Sequence, residues 1–370
     1  MNVLVTGGAG FIGSFVVDAL VARGDRVRIL DSLDSQVHPG GAAPRYLHPE
    51  AELHRGDVRD APTVQRALAG MDGVLHLAAV VGVGQSMYQV DRYVDHNGRG
   101  TAVLLDEVIK GRDAVQKLVV ASSMSLYGEG SYVCPACGPV SDDERFAAAA
   151  AARRWEIACP SCGERLVPVP TGESKPARAT SVYAITKRLQ EELALAIGRA
   201  YGIPTVALRF FNVYGPRQSL SNPYTGVAAI FMSRLRNGRP PLVFEDGEQS
   251  RDFVSVHDLV RGILLALDRD EANGGIYNVG TGAPVTVRQI AEVLAELLGV
   301  AIPPEITHRF RAGDIRHCFA DIGRIRRDLG YEPQVTLREG LRELVAWSRD
   351  EPAVDRVEEA TEELRTRGLA

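Results

Sequence analysis

The chain has 370 residues, with 42 Lys and Arg against 47 Asp and Glu, and a net charge of −5. This length predicts one large domain with a smaller one, and 45% hydrophobic with 24% charged residues is typical of a globular protein. The mild acidity disfavours nucleic acid and anionic membranes as partners. No apolar run is long enough to span a bilayer, and no basic leader precedes the first one. We therefore expect a cytoplasmic protein with no membrane partner.

Short apolar runs alternate with amphipathic stretches through the first 130 residues. At this spacing, the alternation predicts an α/β fold with a doubly wound parallel sheet covered by helices on both faces. The predicted strands are Val3–Thr6, Arg26–Asp31, Glu52–Gly56, Gly73–Ala78, Lys117–Ser122 and Thr205–Phe210, and the predicted helices are Phe11–Arg23, Ala61–Ala69, Gly100–Lys110 and Val182–Tyr201.

Two later regions depart from this alternation. A segment over 130–176 holds two cysteine pairs, an alanine run and several prolines, so it is interpreted as an insertion. After Gly215, Pro-rich turns and the charged helices Val287–Leu298 and Leu337–Arg349 predict a smaller α+β lobe. The expected domains are 1–215 with the insert, then 216–350 with a stretch near 251–280 returning to the first domain, and a charged helical tail over 351–370.

A glycine motif follows the first strand, with Gly7, Gly10 and Gly13 placed before the first helix. Glycines at this spacing permit a tight turn, and the helix N-terminus beyond them favours a pyrophosphate. Asp31 ends the second strand, where a carboxylate accepts hydrogen bonds from both adenosine ribose hydroxyls and repels a 2′-phosphate. The pattern predicts a Rossmann-type domain that binds NAD. The alternative is a glycine-rich turn with a surface aspartate.

Other residues are expected along the same groove because ligands of such folds lie beyond the carboxyl ends of the strands. His76, at the end of the fourth strand, is more simply a packed histidine, and no chemistry is assigned to it. The expected cofactor-binding residues beyond the glycines and Asp31 are Phe11, Ile12, Ser32, Asp57, Val58, Leu77, Ala78 and Ala79.

Tyr183 and Lys187 are four residues apart, so on a helix they share one face. A nearby ammonium and an oxidised nicotinamide lower the pKa of a tyrosine from about 10, which turns the phenol into a usable base. Ser122 and Ser123 place hydroxyls just beyond a buried strand. The simpler alternatives are a solvated helix face and turn-capping serines.

Taken in order, these motifs resemble the extended short-chain dehydrogenase/reductase family, and within it the NAD-dependent nucleotide-sugar epimerase/dehydratase group. The resemblance covers about Met1 to Trp347 without the cysteine insert. It implies that Ser123 is the catalytic hydroxyl, Tyr183 the base, and Lys187 the residue that holds the nicotinamide ribose. It also implies that Asn97 supports the nucleotide fold or the cofactor site and that Phe210 borders the cofactor site.

The same resemblance implies where the nucleotide sugar binds. Asn212 would contact the sugar diphosphate, and Arg251 and Arg311, with Asp314 beside it, would grip the phosphates. Phe244 would stack on the pyrimidine, although core packing explains it equally well. Ser86 and Met124 complete the expected substrate-binding set. Val80-Val81 departs from the family, because some epimerases have a lysine shortly after the fourth strand.

The reaction is indicated by the residues after Ser123. By the resemblance, 4,6-dehydratases have an Asp-Glu pair there and glucuronate decarboxylases a Glu, whereas this chain has Met124 and Ser125. Neither shuttles protons at neutral pH, which favours oxidation at C4, turning of the keto sugar, and hydride return to its other face. Tightly held NAD is expected, since it is regenerated in each cycle. A 4,6-dehydratase, a net oxidoreductase and a non-catalytic binding protein are the remaining alternatives.

The sugar is less clearly indicated. The segments Gln85–Tyr88 and Asn222–Val227, together with the cysteine insert, resemble bacterial dTDP-L-rhamnose 4-epimerases. UDP-glucuronate and UDP-glucose remain open as substrates. By resemblance, the chain is also expected to form a homodimer through Gly100–Lys110 and Val182–Tyr201.

The insert contains two CxxC-Gly turns, Cys134 with Cys137 and Cys159 with Cys162, and 21 residues separate the turns. Two such turns complete a tetrahedral four-thiolate site suited to zinc, and with no open position the metal would be structural. Two disulfides or an iron site are the alternatives. Cys318 stands alone and is expected in the core.

Overall fold

The computed structural model describes residues 1–140, 152–310 and 314–369. Every strand and helix predicted individually above is present, with ends within two residues of those expected. The strands are β1 (Asn2–Thr6), β2 (Arg26–Asp31), β3 (Glu52–Arg55), β4 (Gly73–His76), β5 (Lys117–Ser123), β6 (Ser131–Cys134), β7 (Gly138–Val140), β8 (Val167–Val169), β9 (Thr205–Phe210), β10 (Asn212–Tyr214), β11 (Leu242–Val243), β12 (Ser250–Ser255), β13 (Ile276–Val279), β14 (Pro284–Thr286), β15 (Glu305–Ile306) and β16 (His317–Cys318).

The helices alternate with these strands in the first part of the chain and cluster in the last part. Short 3₁₀ turns lie at Pro39–Gly41, Met124–Tyr127 and Asp270–Ala272, and a π-helical turn covers Val94–Arg99. The α-helices are α1 (Phe11–Ala22), α2 (Ala61–Leu68), α3 (Val83–Ser86), α4 (Val90–Tyr93), α5 (Gly100–Lys110), α6 (Val182–Tyr201), α7 (Val227–Arg236), α8 (Val256–Asp268), α9 (Val287–Leu298), α10 (Gly323–Leu329), α11 (Leu337–Ser348) and α12 (Val357–Thr366).

Seven parallel strands of the described chain form one sheet in the order β13-β9-β5-β4-β1-β2-β3. All residues of β5 and β9 are buried, as expected for parallel strands covered on both faces. One core contains residues of α1 and α8 on one face of the sheet, and another contains residues of α2, α5 and α6 on the other face. The strand order reverses between β1 and β4, so the crevice for a ligand is expected at their carboxyl ends.

A smaller lobe follows, built on strands β10, β12, β14 and β16 with the separate pair β11–β15. Helices α7, α9 and α11 enclose its own apolar core. Capping boxes begin α9 at Thr286 and α11 at Thr336, where each hydroxyl accepts a backbone N–H that the helix leaves free. Two elements within this stretch of sequence pack on the larger sheet instead of the lobe. Helix α8 packs on α1, and β13 extends the large sheet beside β9.

The described part of the insert is a three-stranded antiparallel sheet in the order β7-β6-β8. Its small core contains Tyr132, Ile157 and Leu166 with two of the cysteines. Among the helices in the described ranges, none combines the length and the apolar character needed to cross a bilayer.

Candidate active site and cysteine cluster

A cavity of about 700 Å³ lies at the carboxyl ends of β1, β4 and β5, between the large sheet and the smaller lobe. It brings together most of the residues predicted from the sequence. The predicted residues that line it are Gly7, Gly10, Phe11, Ile12, Gly13, Asp31, Ser32, Asp57, Val58, Leu77, Ala78, Ala79, Ser123, Met124, Tyr183, Lys187, Phe210, Asn212, Phe244, Arg251 and Asp314.

The glycine turn after β1 has no room for side chains. Gly7 has a φ of +70°, and a Cβ there would lie 2.9 Å from the Cα of Ala78. A Cβ on Gly13 would lie 2.2 Å from the carbonyl oxygen of Gly7. The N-cap of α1 is Gly10, which offers no side-chain hydrogen bond to the first turn of the helix. Free N–H groups therefore face the cavity where a pyrophosphate fits, so these residues suit a dinucleotide.

Asp31 is held in place by backbone donors. The N–H of Ala9 donates to Oδ2 at 3.0 Å, and the N–H of Leu33 donates to Oδ1 at 2.9 Å. Each carboxylate oxygen accepts more than one hydrogen bond, so both retain capacity for ribose hydroxyls. Further along the cavity, hydrogen bonds from Arg59 lower the pKa of Asp57, which keeps this second carboxylate ionised.

Tyr183 lies in the first turn of α6, which begins where the Ser181 hydroxyl accepts the N–H of Ala184 at 3.2 Å. Its own N–H donates to the Ser86 hydroxyl at 3.0 Å, and the Tyr93 ring meets the Tyr183 ring edge-on at 6.5 Å. Burial raises the pKa of Tyr183, and a hydrogen bond with Ser123 opposes that rise. The predicted effect of Lys187 on this phenol is thus not evident in the protein chain, where burial dominates.

Lys187 is buried one turn further along α6. Its Nζ donates to Oε1 of Gln190 at 2.8 Å, and burial lowers its pKa to about 7 against the opposing charge of Glu191. Gln190 in turn donates to the Thr101 hydroxyl at 2.8 Å. Sequence reasoning missed Gln190. The available signal was its position three residues after Lys187, on the same face of a helix.

His76 is fully enclosed and serves the packing of the site. The Thr6 hydroxyl lies 2.8 Å from Nδ1 and the Thr101 hydroxyl 2.8 Å from Nε2. Burial, with the charge of Lys187, lowers the pKa of His76 to about 3. A neutral, hydrogen-bonded imidazole of this kind is a packed histidine, as expected from its place at the end of the fourth strand.

Two predicted site residues do not line the cavity. The buried hydroxyl of Ser86 is used by Tyr183 N–H and by the Val83 carbonyl oxygen, at 3.0 and 2.7 Å. The buried amide of Asn97 bonds the backbone of Val80 on both sides and donates to the Thr186 hydroxyl. Both side chains therefore position the catalytic helix and the loop after β4, because the helical turns that carry them face inward.

The smaller lobe supplies polar groups to the cavity. Asn212 Oδ1, Gln218 Oε1 and Gln249 Oε1 are buried oxygens with no hydrogen-bond partner among the described residues, and all three residues line the cavity. Such atoms are costly unless a ligand or water satisfies them. The Arg251 guanidinium donates to the carbonyl oxygens of Ser250, Ile315 and Arg316. Arg311 lies outside the described residues.

The charged tail also reaches the site, which the sequence did not indicate. Helix α12 lines the cavity with Val357, Ala360, Thr361 and Leu364. Their spacing of i, i+3, i+4 and i+7 is the signal that marks one helix face for burial. A Cβ on Gly84 would lie 3.4 Å from a Leu364 methyl, so α12 packs on α3, the turn whose Ser86 holds Tyr183. The tail therefore covers the end of the cavity nearest the catalytic phenol.

The four paired cysteines of the insert converge on one point. Their sulfur atoms all lie within 4.8 Å of one another, and the Sγ atoms of Cys134 and Cys162 are 3.5 Å apart. None of the cysteines, all of which lie in the described ranges, is disulfide-bonded. Backbone N–H groups of Cys162 and Ser161 lower the pKa of Cys159 to about 7, which favours its thiolate. Four sulfurs so arranged can hold a metal ion. Cys318 lies apart, buried near Thr171.

The cavity combines the parallel sheet and the glycine turn with Ser123, Tyr183 and Lys187. Together these features define an enzyme of the short-chain dehydrogenase/reductase class. A model of the NAD dependent epimerase/dehydratase family matches residues 3–156 and 161–280. The chain belongs to this family of NAD-dependent enzymes, and the predictions of fold class and of an enzyme are confirmed.

Individual relatives agree with this placement. The dTDP-L-rhamnose 4-epimerase of Burkholderia thailandensis is 36% identical over 95% of both chains. UDP-glucuronate 4-epimerase 3 of Arabidopsis thaliana is 32% identical, over 94% of this chain and 76% of its own. The solved structure of UDP-glucose 4-epimerase from Thermus thermophilus in complex with NAD is 32% identical, has a TM-score of 0.74, and is matched over 95% of this chain and 100% of its own.

Proposed function

We propose that the protein is a nucleotide-sugar 4-epimerase that uses tightly held NAD, and that its substrate pair is dTDP-L-rhamnose and dTDP-6-deoxy-L-talose. One observation carries the proposal. The cavity combines the glycine turn and Asp31 with Ser123, Tyr183 and Lys187 and with unpartnered polar atoms of the smaller lobe. A dinucleotide and a nucleotide sugar would then share one cavity.

The chain's own residues provide the proton transfers of this reaction. Bound NAD supplies a hydride acceptor, and later a donor, for C4 of the sugar. Tyr183 takes the proton of the 4-hydroxyl as C4 is oxidised, and returns it when C4 is reduced on the opposite face. Ser123, which is hydrogen-bonded to Tyr183, orients the same oxygen. Because burial raises the pKa of Tyr183, the phenolate depends on the positive charge that an oxidised nicotinamide brings.

The residues after Ser123 favour epimerisation over elimination. Met124 is buried at the cavity wall, and the Ser125 hydroxyl donates to the Ser123 hydroxyl at 2.9 Å. Neither is an acid or a base near neutral pH. Because neither of these two residues offers a second proton shuttle, we infer that hydride return is the step that follows for the keto sugar.

The wall near the catalytic phenol favours a 6-deoxy sugar. Its described residues from the α3 region and from α12 are uncharged where they line the cavity. An apolar wall suits a methyl group, whereas a buried carboxylate needs a cation or several donors. This supports dTDP-L-rhamnose over UDP-glucuronate, in line with the Burkholderia relative. These wall residues are Gly82, Val83, Gly84, Met87, Val357, Ala360, Thr361 and Leu364.

The direct test is incubation of the purified protein, without added NAD, with dTDP-L-rhamnose, UDP-glucuronate or UDP-glucose, followed by separation of the C4 epimers. We expect interconversion of dTDP-L-rhamnose and no net change in NADH absorbance. Turnover of a UDP-sugar alone would reassign the substrate. Accumulation of NADH would indicate a net oxidoreductase, and an absence of any C4 inversion would overturn the proposal.

We further propose that the four-cysteine cluster holds structural zinc. The four sulfurs, supplied by two turns that end in Gly138 and Gly163 with positive φ, match the ligand number and type that zinc prefers. With four protein ligands, no position remains for substrate or water, so the metal's role is to hold the insert. Metal analysis of the purified protein should give about one zinc per chain.

A homodimer is also proposed, through α5 and α6, which pack side by side. Four apolar side chains on and beside them are exposed in the single chain, at 36–54% of their surface. Burying such a patch against a second copy would stabilise a dimer. Light scattering should give twice the chain mass, and Leu189→Glu should reduce it to the monomer mass. The exposed residues are Val90, Val94, Ile185 and Leu189.

A further inference from the structure

Glu156, in the cysteine insert, reaches across to the smaller lobe. Its carboxylate accepts two hydrogen bonds from the Arg316 guanidinium, at 3.0 and 2.6 Å, and lies 3.2 Å from Nε2 of His317. Arg316 is only 1% exposed, although it is a permanently charged side chain. A charge buried to this degree needs fixed partners. Glu156 is therefore one of the groups that determine where the Arg316 segment lies.

The remaining partners of the Arg316 guanidinium belong to the turn after β11, and the backbone N–H of Arg316 donates to the Glu129 carboxylate. Its Nη1 donates to Glu245 at 2.9 Å and to Asp246 at 2.7 Å, and its Nη2 donates to Asp246 at 3.0 Å. The Glu245 N–H donates to the Arg309 carbonyl oxygen at 2.9 Å. One guanidinium thus connects the insert to a turn that also holds the chain just before residue 310.

The backbone just before Arg316 lines the same cavity. Arg251 lines the cavity, and its guanidinium donates to the carbonyl oxygens of Ile315 and Arg316 at 2.5 and 2.9 Å. Asp314 and Ile315 line the cavity as well. The segment 315–316, which Glu156 contacts through Arg316, therefore sets the orientation of the Arg251 guanidinium.

Glu156 is itself fixed by the cysteine cluster. It lies three residues before Cys159, and the backbone between them pairs with the chain after the second CxxC-Gly turn. Leu166 N–H donates to the Ile157 carbonyl oxygen at 2.9 Å, and Cys159 N–H donates to that of Glu164 at 2.7 Å. The second CxxC-Gly turn and the Glu156 segment are thus one small hydrogen-bonded unit. A metal that closes the four-sulfur cluster would hold this unit, and Glu156 with it, in place.

We infer that Glu156 is a positioning residue for the nucleoside diphosphate: from the metal-bound insert it holds Arg316, and through the 315–316 backbone it holds Arg251 at the diphosphate end of the cavity. The inference rests on the proposed function for the identity of the ligand. The cysteine insert would then contribute to substrate affinity, separately from the chemistry at Tyr183.

The test compares wild-type protein with Glu156→Gln, and with Glu164→Gln as the matched control, since Glu164 belongs to the same unit but is exposed. Calorimetry with dTDP and with UDP measures binding without any need for turnover. We expect Glu156→Gln to weaken nucleotide binding about tenfold and to raise KM equally, with kcat, bound NAD and zinc content unchanged. Glu164→Gln should match the wild type in all of these.

The outcomes separate this inference from the proposed function. If wild-type protein binds a nucleotide and Glu156→Gln binds it equally well, the inference is wrong and the proposed function stands. If wild-type protein binds neither dTDP nor UDP, the nucleotide-sugar function falls, and the inference falls with it. Should Glu156→Gln fail to fold, Glu156→Asp replaces it, and a smaller loss of affinity in the same direction is expected. A fall in kcat alone would also contradict the positioning role.

Discussion

The phenol oxygens of Tyr88 and Tyr224 lie 2.6 Å apart, although the two residues are separated by 136 positions in the chain. Both phenols donate to the same carboxylate oxygen of Glu363 on α12, at 2.9 and 3.1 Å. Tyr88 follows α3, and Tyr224 belongs to the loop before α7 in the smaller lobe. This cluster therefore joins the two halves of the molecule and the tail at the end of the cavity near the catalytic phenol.

Replacing Glu363 with Ala should loosen the tail over that end of the cavity. Two hydrogen bonds to a carboxylate are lost, and at a partly exposed site we expect about a 3- to 10-fold rise in KM for the nucleotide sugar. Bound NAD should not change, because the glycine turn lies elsewhere in the cavity. Steady-state kinetics of Glu363→Ala tests this, with Glu362→Ala as control, since Glu362 pairs with Arg365 on the exposed side of α12. Equal KM values for the two variants would contradict a role for the tail.

Tyr183→Phe should lower kcat by about 10²- to 10⁴-fold, the usual contribution of a positioned acid–base group. The ring stays buried against Tyr93, and the N–H bond to Ser86 is a backbone contact, so folding should be preserved. Circular dichroism, the unfolding midpoint and the content of bound NAD should match the wild type. Retention of more than a tenth of the activity would show that the phenol is not the proton carrier.

The pH dependence of the reaction should respond to Ser123. The hydrogen bond between Ser123 and Tyr183 lowers the pKa of the phenol, against the rise that burial causes. Removing the hydroxyl in Ser123→Ala therefore raises the pKa of Tyr183, and the limb of the kcat/KM profile that ascends with pH moves to higher pH. Ser123→Thr keeps a hydroxyl, so its ascending limb should remain near that of the wild type. A profile of Ser123→Ala that is lowered but not displaced would argue against this coupling.

The cofactor groove could be predicted from sequence because its determinants are local. A strand, a glycine turn and the start of a helix within the first thirteen residues define the position of Gly7 and Gly13, and Asp31 follows at the end of the next strand. Tyr183 and Lys187 are likewise fixed by the period of a single helix. Asn97 supports the loop after β4, in keeping with one of the two roles expected for it, whereas the Ser86 side chain is buried behind the cavity wall, since a helical turn there has an inner and an outer face.

Contacts between segments far apart in the chain could not be predicted from the sequence. Arg316 and Glu156 are 160 positions apart, and neither residue type indicates on its own that it is buried in a pair. The sequence predicts a charged helix for the tail. Within that helix, Ala360 and Leu364 face the cavity, because α3 and the Tyr224 loop offer an apolar surface to them. Such features depend on how whole elements pack. A single sequence carries too weak a signal to specify them.

The metal of the insert can be tested independently of activity. Cys162→Ser removes one of four sulfur ligands at an exposed position, so we expect the zinc content to fall from about one per chain to near zero. The unfolding midpoint should fall by roughly 5 °C or more, because metal binding in such sites contributes directly to folding. Cys318→Ala is the matched control: this cysteine is buried away from the cluster, and the variant should keep its zinc whatever its stability. If Cys162→Ser retained a full equivalent of zinc, or if the wild type contained none, the four-cysteine cluster would not be a zinc site.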